Sequence, residues 1–175
     1  MSSYVIESLG PAEAAANIDG LANVLSDCVE GGASVSFMLP FPREKAETFW
    51  ETVTGSVSRG ETILLAARDD AGICGTVQLQ MGLPENQPHR GEIAKLLVHR
   101  RARRRGIAEA LMARIESEAA RVGRSLLVLD TASDTAERLY RRMGWTECGV
   151  IPDFALFPDG RPCATVFFWK RVATA

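Results

Sequence analysis

A run of arginines followed by a glycine and an alanine is the segment of this sequence whose spacing most clearly suggests chemistry. Arg103-Arg-Arg-Gly-Ile-Ala108 lies between an apolar stretch, Glu92–His99, and an amphipathic stretch that begins at Gly106. A helix beginning here would offer unpaired backbone N–H groups and the positive end of its dipole to a phosphate or pyrophosphate. Gly106 has no Cβ and allows close approach, while the guanidinium groups add charge for a further phosphate. We therefore predict an anion site at this junction.

Two alternative roles for the arginines stay open on these residues alone. The run could be a solvated basic surface, or it could contact nucleic acid or serve nuclear localisation. The common phosphate loops do not fit, because the sequence has neither GxxxxGK[ST] nor GxGxxG after its first predicted strand. The anion site is favoured because the run lies at a strand-to-helix junction rather than in a tail.

The composition is that of an ordinary folded chain and argues against several classes of protein. Of 175 residues, 46% are hydrophobic and 24% are charged, and the formal net charge of −2 argues against a general nucleic-acid binder. No apolar run approaches the roughly 18–20 residues that span a bilayer, and no signal peptide is expected. We expect one cytoplasmic domain covering residues 1–175, with a core of about 4–172, and no membrane or nucleic-acid partner.

No metal site is expected from the cysteines and histidines. These residues are Cys28, Cys74, Cys148, Cys163, His89 and His99. No cysteine pair has CxxC spacing, and neither histidine has an Asp, Glu or Cys at metal-ligand spacing. A disulfide framework is not expected without a secretory signal, so the cysteines are interpreted as small buried hydrophobic residues.

The hydrophobic patterns predict an α/β layered domain with a mixed sheet. The predicted strands are Tyr4–Leu9, Thr62–Arg68, Ile73–Met81, Glu92–His99, Ser125–Leu129, Trp145–Phe154 and Cys163–Arg171. The predicted helices are Ala12–Val29, Arg43–Val57, Gly106–Val122 and Thr135–Met143. The order is strand, two helices, three strands, helix, strand, helix and two strands.

Three segments in this order resemble the GNAT N-acetyltransferase superfamily. Arg103-x-x-Gly-x-Ala108 resembles its acetyl-CoA motif, and Ser125–Thr131 resembles the strand that follows. Ala136-Glu-Arg-Leu-Tyr-Arg-Arg-Met-Gly-Trp145 resembles its A-x-x-x-Y-x-x-x-G-[FWY] helix and exit. The first motif alone is weakly specific, whereas three segments in register are strongly specific. The resemblance implies a GNAT fold with a central, mixed, splayed sheet of about seven strands and about four flanking helices.

Four shorter segments are similar to the tabtoxin-resistance branch of that superfamily, which acetylates a small amino-acid-like β-lactam toxin. They are Gly31–Val35, Glu92-x-x-Lys-Leu-x-Val98, Leu129–Thr131 and Pro158–Arg161. This similarity implies transfer of an acetyl group from acetyl-CoA to a primary amine of a small molecule, such as an amino-acid-like toxin or antibiotic. Many functions share the scaffold, so the acceptor is implied less strongly than the reaction.

The resemblance also implies how acetyl-CoA binds. In the superfamily, two central parallel strands splay apart and admit the pantetheine arm like an added strand, and a backbone N–H there also polarises the thioester carbonyl. The pyrophosphate would lie at Arg104–Glu109. The residues expected to contact acetyl-CoA are Leu96, Leu97, Val98, Arg103, Arg104, Arg105, Gly106, Ile107, Ala108, Glu109 and Tyr140.

Amine acetylation needs a base, an oxyanion stabiliser and an acid for the departing thiolate, because an alkylamine with a pKa of about 10.4 arrives mostly protonated. Tyr140 matches the family tyrosine whose hydroxyl reaches the CoA sulfur, although its spacing alone indicates a core aromatic residue. Glu92 and Asp130 are the base candidates, since they begin and end the strands on either side of the motif. Each could instead be a surface or capping carboxylate.

The segment Gly31–Met38 is predicted to cover the acceptor side of the cleft, as the connection between the first two helices does in this fold. Its alternative is a helix C-cap and a plain connection. The expected substrate contacts are Gly32, Ser34, Phe37, Glu92 and Asp130. Pro152–Phe157 could form the opposite wall, from a partner subunit if the protein is a homodimer.

Two further functions stay open besides nucleic-acid binding. One is a CoA-binding module without catalysis, against which the presence of Tyr140, Glu92 and Asp130 argues. The second is acetylation of a protein N-terminus or lysine.

Overall fold

A computed structural model describes residues 3–173 and arranges them as a seven-stranded sheet in the order β1-β2-β3-β4-β5-β7-β6, with helices on both faces. The strands are β1 Val5–Leu9, β2 Thr62–Asp69, β3 Gly72–Gln80, β4 Arg90–Val98, β5 Leu126–Thr131, β6 Thr146–Leu156 and β7 Pro162–Arg171. The helices are α1 Pro11–Ala16, α2 Ile18–Glu30, α3 Arg43–Ser58, α4 Ile107–Arg121 and α5 Asp134–Arg142. The predicted mixed α/β fold is confirmed.

The helix count differs from the prediction because the predicted helix Ala12–Val29 is interrupted. Asn17 takes a non-helical φ of −112° and ψ of 12°, which ends α1 and precedes α2. Its side-chain amide donates to the carbonyl of Glu13 at 2.7 Å. Asparagine favours such local bonds over continued helix. The described residues therefore contain five α-helices instead of about four, together with a short 3-10 turn at Arg100–Ala102.

Two hydrophobic cores lie on opposite faces of the sheet because side chains alternate along each strand. Leu65 and Leu79 pack with α4 and α5 on what we call the α4 face. Leu64 and Ala66 pack with α2 and α3 on the α2 face. Helix α4 is amphipathic, and its fully buried stripe includes Ile107. A side chain near the centre of the sheet therefore belongs to one face or the other.

Strands β4 and β5 are parallel neighbours that pair over a short distance and then separate. Their register runs from Arg90 opposite Leu126 to Glu92 opposite Val128. Beyond that point β5 pairs with β7 on its other side, and β4 continues to pair with β3. The separation opens the centre of the sheet, as the splayed sheet predicted from the resemblance requires.

A bulge in β4 lies beside this opening. The register between β3 and β4 shifts between Thr76 and Gln78, and Lys95 takes a left-handed φ of 52°. The Thr76 hydroxyl donates to the Lys95 carbonyl at 3.0 Å and stabilises the bulge. A bulge bends its strand and redirects side chains, and bulges are enriched next to active sites.

Candidate active site

A cleft of about 890 Å³ lies where β4 and β5 separate. Its walls are the β4 segment Ile93–Val98, the first turn of α4, much of α5 and residues 31–36 after α2. It therefore reaches both faces of the sheet, with α4 and α5 on one side and the residue 31–36 segment on the other. Its volume is in the range of small-molecule sites.

Helix α4 begins at the cleft with a left-handed glycine. Gly106 has φ 78° and ψ 0°, and no side chain caps the helix. A Cβ at Gly106 would meet only the Tyr4 hydroxyl, at 3.6 Å, so the space before the helix is open. Ile107, Ala108 and Glu109 complete the first turn and line the cleft. An uncapped helix N-terminus facing open space fits a pyrophosphate group.

With Arg100 and Arg101, which lie just before it, the run holds five arginines, and three of the five make ion pairs with carboxylates of the surrounding structure. Arg101 and Arg105 donate to Asp69 at 2.7–2.9 Å, and their guanidinium groups hold the pKa of Asp69 far below its usual range. Arg100 donates to Asp27 on α2 at 2.9 Å. These ion pairs fasten the loop before α4 to β2 and to α2.

The remaining two arginines of the run line the cleft. Arg103 donates to the Val98 carbonyl at 3.2 Å, and Arg104 takes a left-handed φ of 61°. The sequence predicts that Arg105 binds acetyl-CoA with these two, but its side chain contacts Asp69 and lies over the Tyr4 ring at 6.0 Å. Arg103 and Arg104 are therefore the side chains of the run best placed to meet a CoA phosphate.

The backbone of β4 supplies the edge that the predicted pantetheine pairing needs. Leu96, Leu97 and Val98 all line the cleft, and β4 has no ladder partner there on the β5 side among the described residues. The Val98 carbonyl already accepts from Arg103 and from the Cys28 thiol, at 3.2 and 3.6 Å. An exposed strand edge of this kind can accept an extended chain as an added strand.

Tyr140 lies in the α4-face core and also lines the cleft. The residue is 5% exposed, and its ring packs against Trp145 and Phe168, with ring centroids 6.0 and 5.7 Å away. Burial, with a smaller contribution from the charge of Asp130, raises its pKa well above the ordinary value. The phenol is protonated at neutral pH, as a general acid must be, and the raised pKa makes it a weaker acid than an exposed tyrosine. The same burial would raise the pKa of a thiol formed beside it.

The position of Tyr140 follows from the sequence around α5. Ser133 caps the helix by accepting from the Ala136 N–H, and the Thr131 hydroxyl accepts from the Ser133 N–H. Gly144 ends the helix with a φ of 79°. Because the helix follows β5 directly, its buried side meets the cleft.

Asp130 and Glu92, the two base candidates, differ in position. Asp130 lines the cleft, and burial raises its pKa against the opposing charge of Lys95. The charge of Glu92 also raises the pKa of Asp130, and the strand register sets Glu92 opposite Val128, two residues before Asp130. Glu92 itself is not among the cleft-lining residues, and its carboxylate accepts a hydrogen bond from Arg90 at 2.7 Å. Of the two base candidates, Asp130 is therefore the better placed in the cleft.

Of the other residues predicted to contact the acceptor, two line the cleft and one lies outside it. Gly32 and Ser34 line the cleft, and the Ser34 hydroxyl donates to the Leu156 carbonyl at 2.9 Å. Phe37 lies outside the cleft, in an aromatic cluster with Phe41 and Phe49. That cluster borders a shallow groove of about 450 Å³ along α3.

Lys95, Thr165 and Arg138 line the cleft and carry no role in the sequence prediction. The signal for Lys95 is a charged residue inside an apolar strand. The sequence does not reveal the bulge, so the alternation of side chains along the strand cannot show which face Lys95 lies on. Thr165 and Arg138 give no signal, because polar residues on an edge hairpin and a helix surface are common.

The described part of the chain holds no group of three or more His, Cys, Asp or Glu side chains that could bind a metal ion. Within residues 3–173, no helix is long and apolar enough to cross a membrane.

A comparison with protein-family models identifies the family of this chain. The model of the acetyltransferase (GNAT) family matches residues 31–145, which include β4, the arginine-rich loop before α4, α4 itself, β5 and α5. This is well over half of the chain, and the protein belongs to that family. As a member of this family, the protein is an acetyltransferase that uses acetyl-CoA as its acyl donor.

Solved structures share the fold over almost the whole chain. An N-acetyltransferase from Staphylococcus aureus Mu50 has a TM-score of 0.79 at 16% identity, covering 97% of this chain and 99% of that one. A ribosomal-protein-alanine N-acetyltransferase from Brucella melitensis has a TM-score of 0.78 at 22% identity, covering 96% and 99%. A phosphinothricin acetyltransferase from Sinorhizobium meliloti, in complex with acetyl-CoA, has a TM-score of 0.79 at 18% identity, covering 99% and 90%.

These comparisons do not support the tabtoxin-resistance branch as the nearest relative. The matching structures include phosphinothricin acetyltransferases, and their identities of 13–18% are low.

Proposed function

We propose that this protein transfers the acetyl group of acetyl-CoA to a primary amine of a small molecule, by direct attack within a ternary complex. The observation that carries the proposal is the continuity of the cleft. It extends from the open N-terminus of α4 to Lys95 and Asp130 on the α2 face. The donor and the acceptor can therefore enter from opposite faces of the sheet and meet between β4 and β5.

Residues of this chain would fill each role in the reaction. The first turn of α4, with Arg103 and Arg104, binds the CoA phosphates, and the free edge of β4 orients the pantetheine arm. A backbone N–H at the β4 bulge stabilises the oxyanion. Asp130 accepts a proton from the amine, directly or through water, and Tyr140 protonates the departing thiolate.

Contacts over the acceptor side support a small acceptor rather than a protein. Ser34 donates to the Leu156 carbonyl at 2.9 Å, and the Leu39 N–H donates to the Pro158 carbonyl at 2.9 Å. These bonds join the segment after α2 to the β6–β7 hairpin across the cleft. A peptide acceptor would need an open groove where these bonds lie. The N-terminus or a lysine of a protein is therefore the alternative acceptor.

We also propose a cytoplasmic homodimer. Strand β6 is an edge strand, and its exposed apolar side chains Val150, Ile151, Phe154 and Leu156 form the kind of surface that a second copy covers. Phe154 also lines the cleft, so a partner would lie beside the acceptor. A cytoplasmic location is proposed because acetyl-CoA is available there. As the acceptor, we propose a toxin or antibiotic of amino-acid type.

The experiment is a screen for acetyl-CoA-dependent release of free CoA across amino acids, polyamines, antibiotics and peptides. The proposal expects turnover with a small amine, and turnover with peptides alone would favour the alternative acceptor. Binding of acetyl-CoA without turnover of any amine would instead favour a CoA-binding module without catalysis.

A further inference from the structure

We propose that Lys95 binds the carboxylate of the acceptor, so that the acceptor is a zwitterion that carries its reactive amine and a carboxylate close together. The inference rests on the proposed function and names the class of acceptor. Asp130 would receive the ammonium end of the same molecule.

The position of the Lys95 ammonium is set by the bulge. All three lysines of the chain lie within the described residues, and Lys95 is the one that lines the cleft. Its Nζ lies 3.2 Å from the Ser36 hydroxyl and 5.5 Å from the centre of the Phe49 ring. Both contacts belong to the α2 face, where the acceptor enters. A charged side chain in an unusual backbone conformation is thus directed into the acceptor half of the cleft.

The charges in this half of the cleft are incompletely paired. Among residues 3–173, no carboxylate lies within ion-pair distance of Lys95, although Lys95 and Asp130 each influence the other's titration. Partial burial lowers the pKa of Lys95 and raises that of Asp130, so each charged form is partly desolvated although Asp130 keeps an exposed surface. A separated cation and anion in a partly dry cleft match the two ends of a zwitterion.

An amine that carries no carboxylate would complement this site less well. It would satisfy Asp130 and leave the Lys95 ammonium with a hydroxyl and a ring face. A hydroxyl and an aromatic ring hold a cation in place, but they do not neutralise it. A carboxylate provides that neutralisation and fixes the acceptor at two points, which aligns its amine for attack.

The test compares free amino acids with their carboxamides as acceptors for the wild-type protein and for Lys95→Met and Lys95→Arg. We expect the wild type to prefer the acids, and Lys95→Met to raise KM for the acids about 10–100-fold while leaving the carboxamides little changed. Lys95→Arg should retain most of the preference, because arginine keeps the charge and binds carboxylates. Acetyl-CoA affinity, measured by calorimetry, should be unchanged in both variants.

Lys45→Met is the matched control. Lys45 is an exposed lysine on α3 that lies over the Phe37 ring at 6.0 Å, outside the cleft, and its replacement should change neither set of acceptors. Equal use of acids and carboxamides by the wild type would overturn the inference while the proposed function stands. A similar fall in kcat on both sets in Lys95→Met would also overturn it, by making Lys95 a base or a packing residue. Failure of the wild type to acetylate either set would overturn the inference, and the proposed function would fall with it only if no other small amine of the screen is acetylated.

Discussion

The pKa values of both candidate catalytic side chains are raised, that of Tyr140 by nearly complete burial and that of the more exposed Asp130 by partial desolvation in the cleft. Tyr140 is enclosed by Trp145 and Phe168, and Asp130 lies at the end of a central strand. Burial raises the pKa of each group, which keeps the phenol protonated and makes the carboxylate a stronger base. Tyr140 is thus suited to donate a proton, and Asp130 is suited to accept one.

Replacing Tyr140 by phenylalanine should lower kcat on the order of 10²–10⁴-fold, because the ring stays and the proton donor is lost. Acetyl-CoA affinity should change little, since the phosphate and pantetheine contacts lie on α4 and β4. Steady-state kinetics and calorimetry on the same preparation provide the measurement. A fall in affinity that fully accounts for the lost activity would make Tyr140 a packing residue, and full activity would make it dispensable.

Replacing Asp130 by asparagine and Glu92 by glutamine should change the pH dependence of activity in different ways. Since Asp130 has a raised pKa, activity should fall as the pH drops through that pKa, and Asp130→Asn should lose this limb with most of its rate. The charge of Glu92 contributes to the raised pKa, so Glu92→Gln should lower it and move the limb to lower pH. The pH dependence of kcat/KM for the three proteins measures this. Unaltered profiles in both variants would exclude both residues from the proton path.

At the scale of elements, the start of α4 depends on backbone conformation and on ion pairs around it. Gly106 is left-handed there, while Asp69 and Asp27 hold three neighbouring arginines. Only the residue types and their order are visible in the sequence. The partners are not predictable from it, because Asp69 lies 32 residues before Arg101 and its contact depends on how the β2–β3 turn packs.

Gly106→Ala should weaken acetyl-CoA binding on the order of tenfold or more, because the new methyl group occupies the approach to the helix N-terminus. It should also cost about 1–2 kcal/mol of stability, since an L-residue is strained at φ 78°. Gly123→Ala is the control: Gly123 has φ 76° just after α4 and lies away from the cleft. Calorimetry should show unchanged affinity in Gly123→Ala, and equal affinities in both variants would place the pyrophosphate elsewhere.

Asp69→Asn should lower the free energy of unfolding at pH 7 by about 2–3 kcal/mol, the value of hydrogen bonds to a charged group. Because the folded-state pKa of Asp69 is depressed, its stabilising effect is present above about pH 4 and is lost as the pH falls further. Urea unfolding at several pH values should therefore show the gap between wild type and variant closing in acid. A gap that stays constant would show that the carboxylate charge is not what stabilises the loop.

At the scale of the molecule, the residue patterns predict the order of strands and helices and the junction proposed to bind the donor. Periodicity identifies β2, β3 and α4 closely, and the anion motif lies where a helix begins. The break at Asn17, the bulge at Lys95 and the separation of β4 from β5 are not visible in the residues. The bulge and the separation depend on tertiary pairing, which local residue patterns do not encode, and the acceptor half of the cleft is built from them.

The most direct measurement follows the acetyl group itself. Acetyl-CoA labelled in the acetyl carbonyl is mixed with the protein and the best amine from the screen, and the label is traced by mass spectrometry while free CoA is counted. Direct transfer predicts label on the amine, one CoA released for each amine acetylated, and none retained on the protein. Label held stably on a side chain such as Cys28, which lines the cleft, would contradict direct attack, as would release of free acetate with no labelled amine.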